Sequence, residues 1–400
     1  MNNMERLSNI VDYMVDNRGK NPPYYTSEGI PVIDTFLIGE GKYPIAENAT
    51  RYIDDNLYNN FIRCKNIKND LLVTLVGNGY GNSCLCNDNQ VIIQNAVGLR
   101  FKEHILQEYV YYYFKQNEVR KWIQNLDRGS AQPNVKVSDL KRMKLNIPSK
   151  EVQSKIVKVL KHYDDLIENN NNRIKILETM AEELYKEWFV RFRFPGYKET
   201  PFKYEKPISW IYGKKHKYDM IPSTWEYSEF QNIGEFVRGR NITASEMVEG
   251  EVPVISAGLE PSGYHNNYNV DGPSITISAS GANAGYLSYH QENIWAADCS
   301  YYSNKKNLWF AYNTLKFLQP VITNLQVGSA QPHVYAKNIN RLNVLIPDGN
   351  TISLFETKVK PIYEEIRILN IKTKKLIKQR DSLLPRLMSG KLSVEGKEII

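Results

Sequence analysis

The sequence predicts an α+β fold: two α/β domains in pseudo-two-fold repeat, joined by two long antiparallel coiled-coil helices. Three observations predict it. Gly129-Ser130-Ala131-Gln132-Pro133 recurs as Gly328-Ser329-Ala330-Gln331-Pro332, a shift of 199 residues, and a repeat on this scale dictates a doubled architecture. The same shift pairs Ile147-Pro148 with Ile346-Pro347, Ile156 with Phe355 and Leu184 with Leu383, so the register holds without insertion. After each Ile-Pro pair, apolar residues fall at alternating spacings of four and three, the 3.5-residue period of a coiled-coil seam.

The first domain spans 1–149 and reads as short strands punctuated by Gly, Pro and Asn, with a helix around Glu103 to Leu126. Its front half is echoed later at larger shifts. Arg18-Gly19-Lys20-Asn21 answers Arg238-Gly239-Arg240-Asn241, Ile30-Pro31-Val32-Ile33 answers Val252-Pro253-Val254-Ile255, and Thr74 answers Thr276. The falling shift leaves copy one about twenty residues longer between Ile33 and Thr74.

The first long helix, within 150–194, carries Ile156, Leu160, Tyr163, Ile167, Asn170, Ile174, Leu177, Ala181, Leu184 and Trp188 on one stripe. Asn170 is the polar position that can fix register. Residues 195–220, opening with Phe194-Pro195-Gly196-Tyr197 at the boundary, read as a linker. The second domain spans 221–348. The second long helix and tail, 349–400, carry Phe355, Val359, Ile362, Ile366, Leu369, Thr373, Leu376, Arg380, Leu383 and Leu387, with Pro361 expected to kink or delay the helix. Two matched seams in one chain predict that the helices pair with each other, because knobs need a facing row of holes.

Composition sets outer bounds. With 42% hydrophobic and 24% charged residues the chain reads as globular. The opening Met1-Asn2-Asn3-Met4-Glu5-Arg6 lacks the order of a signal peptide, and no apolar run reaches membrane-spanning length, so a soluble, cytoplasmic protein with no membrane partner is expected. Cys64, Cys84, Cys86 and Cys299 lack metal-knuckle spacing and read as reduced structural thiols. A net charge of +7 permits nucleic acid as a partner without demanding it.

About 40 helical residues make a rod of about 60 Å, longer than the roughly 34–36 Å of one DNA turn. Two unequal domains on such a spacer would touch two different short sites. Here the chain resembles the specificity (S) subunits of Type I restriction-modification systems. The resemblance rests on Ile221-Pro222-Ser223-Thr224-Trp225, on the Gly-Ser-Ala-Gln-Pro turns with their Ile-Pro, on Glu187-Trp188-Phe189-Val190-Arg191-Phe192-Arg193-Phe194, and on the run from Arg380-Asp381-Ser382 to Ser389-Gly390-Lys391. It departs at the start, where copy one has no Pro-Ser-Thr-Trp and its first strand is degenerate or shortened.

The resemblance implies that 1–149 and 221–348 are target recognition domains on double-stranded DNA, reading a bipartite asymmetric site. It implies partners: two adenine methyltransferase (M) subunits and two restriction/translocase (R) subunits, for adenine-N6 methylation and ATP-dependent restriction. The paired helices would be the docking platform. No cofactor is expected on this chain; the partners would use S-adenosylmethionine, ATP and Mg2+.

A rival reading comes from Asn21-Pro22-Pro23-Tyr24, which resembles the signature of adenine-N6 methyltransferases, with Gly77-Asn78-Gly79-Tyr80-Gly81 as a candidate cofactor turn. Such a turn should open a helix, whereas Ser83 to Asp88 reads as strand and turn. Copy two has Ile242-Thr243 in place of both prolines. No phosphate loop of the Gly-x-x-x-x-Gly-Lys type occurs, and His104, His162, His216, His265, His290 and His333 form no spaced set with carboxylates. No catalytic or metal site is expected.

Arg and Lys contact phosphates, while Arg, Asn, Gln and small hydroxyls read base edges. The candidates in copy one are Arg18, Lys20, Asn78, Tyr80, Asn82, Arg128, Ser130 and Asn134. In copy two they are Arg238, Arg240, Ser280, Asn283, Gln331 and His333. All lie in Gly-rich loops where backbone can approach a ligand. Gln132 and Gln331 could equally close a turn beside the helix pair. The basic run Lys372, Lys374, Lys375, Lys378, Arg380, Arg386 and Lys391 fits a partner's docking surface, DNA phosphate or a solvated face.

Overall fold

The computed structural model describes residues 3–39, 41–77, 79–126, 134–205, 220–328 and 331–394. It divides into two compact units, Met1–Asn169 with Lys372–Ile400, and Asn170–Ile371.

In the first unit, an antiparallel sheet has the strand order 11–15, 96–101, 71–74, 83–85. Strand Leu71–Thr74 is buried along its whole length, and its alternation serves two cores. Leu71 and Val73 join Tyr109, Val110 and Leu160. Leu72 joins Ile33, Leu37, Ile38 and Cys84 on the other face. The extra residues of copy one therefore supply the cover of that second face. The helix expected over 103–126 is two helices, Gln107–Phe114 and Asn117–Gln124. Gln116 is extended between them, and its side chain donates to the Tyr113 carbonyl, which ends the first helix.

The second unit repeats the sheet strand for strand: 237–238, 299–302, 274–278, 287–290. Ile275 and Ile277 enter the aromatic core. The face carrying Thr276 and Ser278 borders a cavity of about 250 Å3 that His290 and Tyr286 also line. Ile255, Leu259 and Pro261 line that cavity, where copy one has its apolar cover.

Each unit also pairs an early strand with the one before the long helix, Met4–Arg6 with Lys144–Asn146 and Glu226–Glu229 with Asn343–Ile346. The first strand of copy one is thus retained and shortened by one residue. Trp225, fully buried, stands before the second of these and packs on Phe189, Phe192 and Phe194 at 5.0–5.7 Å. That contact accounts for the aromatic run after the first helix. Within the predicted linker, Phe202–Tyr204 pairs with Met220–Pro222.

The long helices are Lys150–Tyr185 and Gly349–Met388. Ser149 and Asp348 cap them: Val152 N–H donates to Ser149 Oγ at 3.4 Å, and Thr351 N–H to Asp348 at 3.0 Å. In the first unit Asp164 meets Arg380 and Asn146 meets Met388. In the second, Arg173 meets Glu365 and Trp188 meets Phe355. Rising numbers on one helix face falling numbers on the other, so the helices run antiparallel in each unit.

All twenty stripe positions are buried or half-buried. The helix begins at Gly349 and continues through Pro361, so the expected delay does not occur. Its neighbours Val359, Tyr363 and Ile366 are buried in the core, and that packing outweighs the lost backbone hydrogen bond. No helix among the described residues is long and apolar enough to cross a membrane.

Candidate nucleic-acid interface

In each unit a glycine hairpin joins one central strand to the edge strand beside it, 71–74 to 83–85 and 274–278 to 287–290. Gly77 and Gly81 have φ of +86° and +86°, and Gly281 and Gly285 have +74° and +87°, values that favour glycine. Gly81 N–H donates to Thr74 and Gly285 N–H to Ser278, both at 2.8 Å. These hairpins therefore superpose Thr74 on Ser278, not on Thr276. The Gly77–Gly81 turn joins two antiparallel strands and opens no helix, which removes the strand-to-helix geometry that a nucleotide-cofactor turn requires. The would-be catalytic Asn21 is bonded to Gln94, and Tyr24 Oη donates to Asp54 at 3.0 Å.

The second unit brings three distant loops together at its hairpin. Gly281 N–H donates to the Pro332 carbonyl at 3.0 Å and Val334 N–H to Ala279 at 3.0 Å. Ser280 bridges His333 on the backbone. Asp298, which precedes strand Cys299–Tyr302, accepts from Ser280 Oγ on one oxygen and from Arg238 Nη2 on the other. Burial raises the Asp298 pKa, but the bonds from Ser280 and Arg238 outweigh it and hold the carboxyl below its usual range. Nearby, Arg240 N–H donates to Ala296 at 2.9 Å, and the His333 and Tyr335 rings stack at 6.0 Å. Gln331 is exposed and Asn283 half-exposed at the turn.

In the first unit Val135 N–H donates to Leu75 at 2.9 Å, and Asn134 bridges Val76, matching Val334 and His333 of the second. The side chains differ. Arg18 is turned back on Asp16 through both Nε and Nη2 at 2.8 Å. Lys20 Nζ lies 4.3 Å over the Phe61 ring. Asn82 donates to the Ile38 carbonyl at 3.1 Å, and the Tyr80 carbonyl accepts from Gln124 at 3.5 Å. Asn78, Arg128, Ser130 and Gln132 lie outside the described residues, as does His216.

Strand register corrects the alignment of the arginines. Val15 pairs with Gly98, and Val237 with Tyr301, at equivalent positions of the sheet. The next residue is Asp16 in one copy and Arg238 in the other, so Arg18 corresponds to Arg240. Asn95 stands where copy two has Asp298, since each carbonyl accepts from Leu75 or Ala279 respectively. Sequence reasoning missed Asp298. Its only signal was an acid beside a strand that follows a Gly-rich turn.

The stripe residues Ile156, Leu160, Val359, Ile366, Leu369 and Leu387 are buried within the chain, so an outside partner meets other faces of the helices. Arg380 is likewise withdrawn from the basic run by its bonds to Asp164 and Asp381. Cys84, Cys86 and Cys299 are buried free thiols, and burial pushes Cys84 and Cys299 up to about 12.

One sheet plan built twice, with different side chains at matched loop positions, defines a protein of two related but unequal domains. The family model described as "Type I restriction modification DNA specificity domain" matches residues 34–179 and 222–378, and the chain belongs to that family. It is 30% identical over 321 residues to the Type I restriction enzyme MjaIX specificity subunit of Methanocaldococcus jannaschii, covering 74% of this chain and 71% of that protein. It is 22% identical to the HindI specificity subunit of Haemophilus influenzae, covering 87% and 98%. The crystal structure of a Type I S subunit from M. genitalium shares the fold, with a TM-score of 0.57, 18% identity and 96% coverage of both chains. The protein is thus a DNA-specificity subunit of a type I restriction-modification system, the non-catalytic component that recognises the target.

Proposed function

We propose that the chain reads a bipartite, asymmetric DNA target and directs adenine-N6 methylation and ATP-dependent restriction by partner subunits. The observation that carries this reading is the unequal furnishing of one plan. The second unit presents Arg238, Asp298 and Ser280 at its hairpin, where the first presents Asp16, Asn95 and Val76. Opposite charge at a matched position favours different base edges, because arginine donates to guanine while a carboxylate accepts from cytosine. Two methyltransferase and two translocase subunits complete the assembly on this reading, docking on exposed helix faces that carry Leu166, Ile176, Met180, Ile371 and Ile377. S-adenosylmethionine, ATP and Mg2+ then belong to those partners, and the complex works in the cytoplasm.

The test is to map methylated adenines in cells expressing the chain with its methyltransferase. The expected result is one split, non-palindromic motif. Replacing residues 225–330 with another recognition domain should change one half of that motif and leave the other half intact. A palindromic motif, or a change in both halves, overturns the reading.

A further inference from the structure

We propose that Asp298 is a positioning residue for base reading, holding Arg238 so that its remaining guanidinium donors take a guanine in the half-site met by the second unit. The inference rests on the reading of that unit as a DNA-recognition domain.

Three observations converge on it. First, Arg238 gives only Nη2 to Asp298. Among the described residues its Nε and Nη1 have no partner, and its side chain is 47% exposed. Arg18 and Arg100, which give both Nε and Nη2 to a single carboxylate, are only 27% and 25% exposed. A guanine takes two parallel N–H donors on O6 and N7, and the second Nη2 hydrogen of Arg238, with either Nη1–H or Nε–H parallel to it, leaves such an edge.

Second, Asp298 is itself fixed. Its second oxygen accepts from Ser280, its carbonyl accepts from Ala279 N–H at 3.3 Å, and the strand Cys299–Tyr302 begins at the next residue. An exposed ion pair adds little to stability. Restraining a long side chain before binding instead lowers the ordering cost of the complex.

Third, the arrangement is confined to one copy. Asp16 and Asn95 occupy the equivalent positions in the first unit, so the guanine preference belongs to one half-site only.

The experiment uses the purified chain with its methyltransferase subunits and selects from randomised duplex DNA, followed by sequencing. The wild type is expected to enrich a split motif with a guanine in one half. Arg238→Ala should reduce discrimination at that one base pair by about 5- to 100-fold. Asp298→Ala should relax the same base pair, and Asp298→Asn should do so less, because the amide oxygen still accepts. Arg238→Lys should restore affinity for unrelated DNA but not the preference, since an ammonium lacks the planar fork. The other half-site and the melting temperature should stay as in the wild type, which a merely structural role for Asp298 would not allow. If Asp298→Ala fails to fold, Asp298→Asn decides. A wild-type complex that enriches no motif overturns the recognition reading. A split motif that Arg238→Ala leaves unchanged, or that the two variants alter at different positions, overturns this inference alone.

Discussion

Asp164 on the first long helix accepts a 2.8 Å hydrogen bond from Arg380 Nη1 on the second, at a seam position where the heptad pattern calls for an apolar residue. The pair is mostly withdrawn from water, with side-chain exposures of 28% for arginine and 19% for aspartate. Tyr112 Oη donates to the other Asp164 oxygen at 2.6 Å, and Asp381 holds a second edge of the guanidinium. Burial lowers the Arg380 pKa, but Asp164 and Asp381 more than offset it and raise it overall.

Removing Arg380 leaves the Asp164 charge largely buried without its cation. Arg380→Ala is expected to destabilise the chain by about 1–3 kcal/mol, the buried-pair cost discounted for partial exposure. Asp164→Ala should cost less, because Asp381 still holds the guanidinium. The double replacement Asp164→Leu with Arg380→Met should recover most of the loss. Thermal denaturation of the four proteins checks this, and additive losses in the double variant would refute it.

Glu356 gives the second unit a pH-dependent element. Its carboxylate accepts from Phe310 N–H at 2.8 Å, yet burial dominates and raises its pKa from 4.5 to about 7. The folded chain therefore binds this proton more tightly than the unfolded chain does. The contribution is complete below about pH 4.5 and is lost as pH rises through about 7. Glu356→Gln should remove that slope and raise stability at pH 8 by about 2 kcal/mol, read from urea unfolding across pH. An unchanged slope in the variant contradicts the assignment.

His290 has the opposite sign. Burial lowers its pKa to about 4, and its Nε2 is hydrogen-bonded to Thr276 Oγ1 at 2.8 Å. The unfolded chain takes up this proton first, so the contribution is present above about pH 6.5 and is lost as pH falls through about 4. His290→Gln should flatten the acid limb of the stability curve between those values. A limb of undiminished steepness would assign the acid loss to other groups.

Trp225 fills the aromatic core and donates its Nε1–H to Asp348, the cap of the second long helix, at 3.2 Å. Trp225→Ala is expected to cost about 3–5 kcal/mol, and Trp225→Phe about 1–2 kcal/mol through the lost hydrogen bond and volume. Denaturant midpoints check both; a Trp225→Phe variant as stable as the wild type would show that the indole N–H contributes nothing, and equal losses that the aromatic ring contributes nothing.

The frame was legible because it is built from residues with few substitutes. Turn glycines, Ile-Pro pairs and seam residues are each fixed by backbone conformation or by a facing helix, and a single sequence shows them as spacing. The loops were legible only as regions. Thr74 was matched to Thr276 because the residues are identical, whereas the hairpin is set by Gly77, Gly81, Gly281 and Gly285, which share positive φ. Shared backbone conformation is the stronger guide to equivalence there.

Asp298 stayed hidden for a related reason. Its counterpart is Asn95, so no repeat marks it, and its partners Arg238 and Ser280 lie 60 and 18 positions away in the chain. At Pro361 the helix is carried through without delay because its neighbours on both sides are buried.

The first unit is closed by two stretches of chain with the whole of the second unit between them. Leu384, Leu387, Met388 and Val394 fill the same core as Leu7 and Ile10, and Asn146 Nδ2 donates to the Met388 carbonyl at 3.2 Å. During synthesis at about 5–20 residues per second, the second unit has all its residues before the first does. The domain translated first is the one completed last. Until residues 384–394 emerge from the ribosome, part of its apolar core stays exposed to chaperones and proteases, and a stop codon just after Ile371 would cost the first unit, not the second, its missing residues.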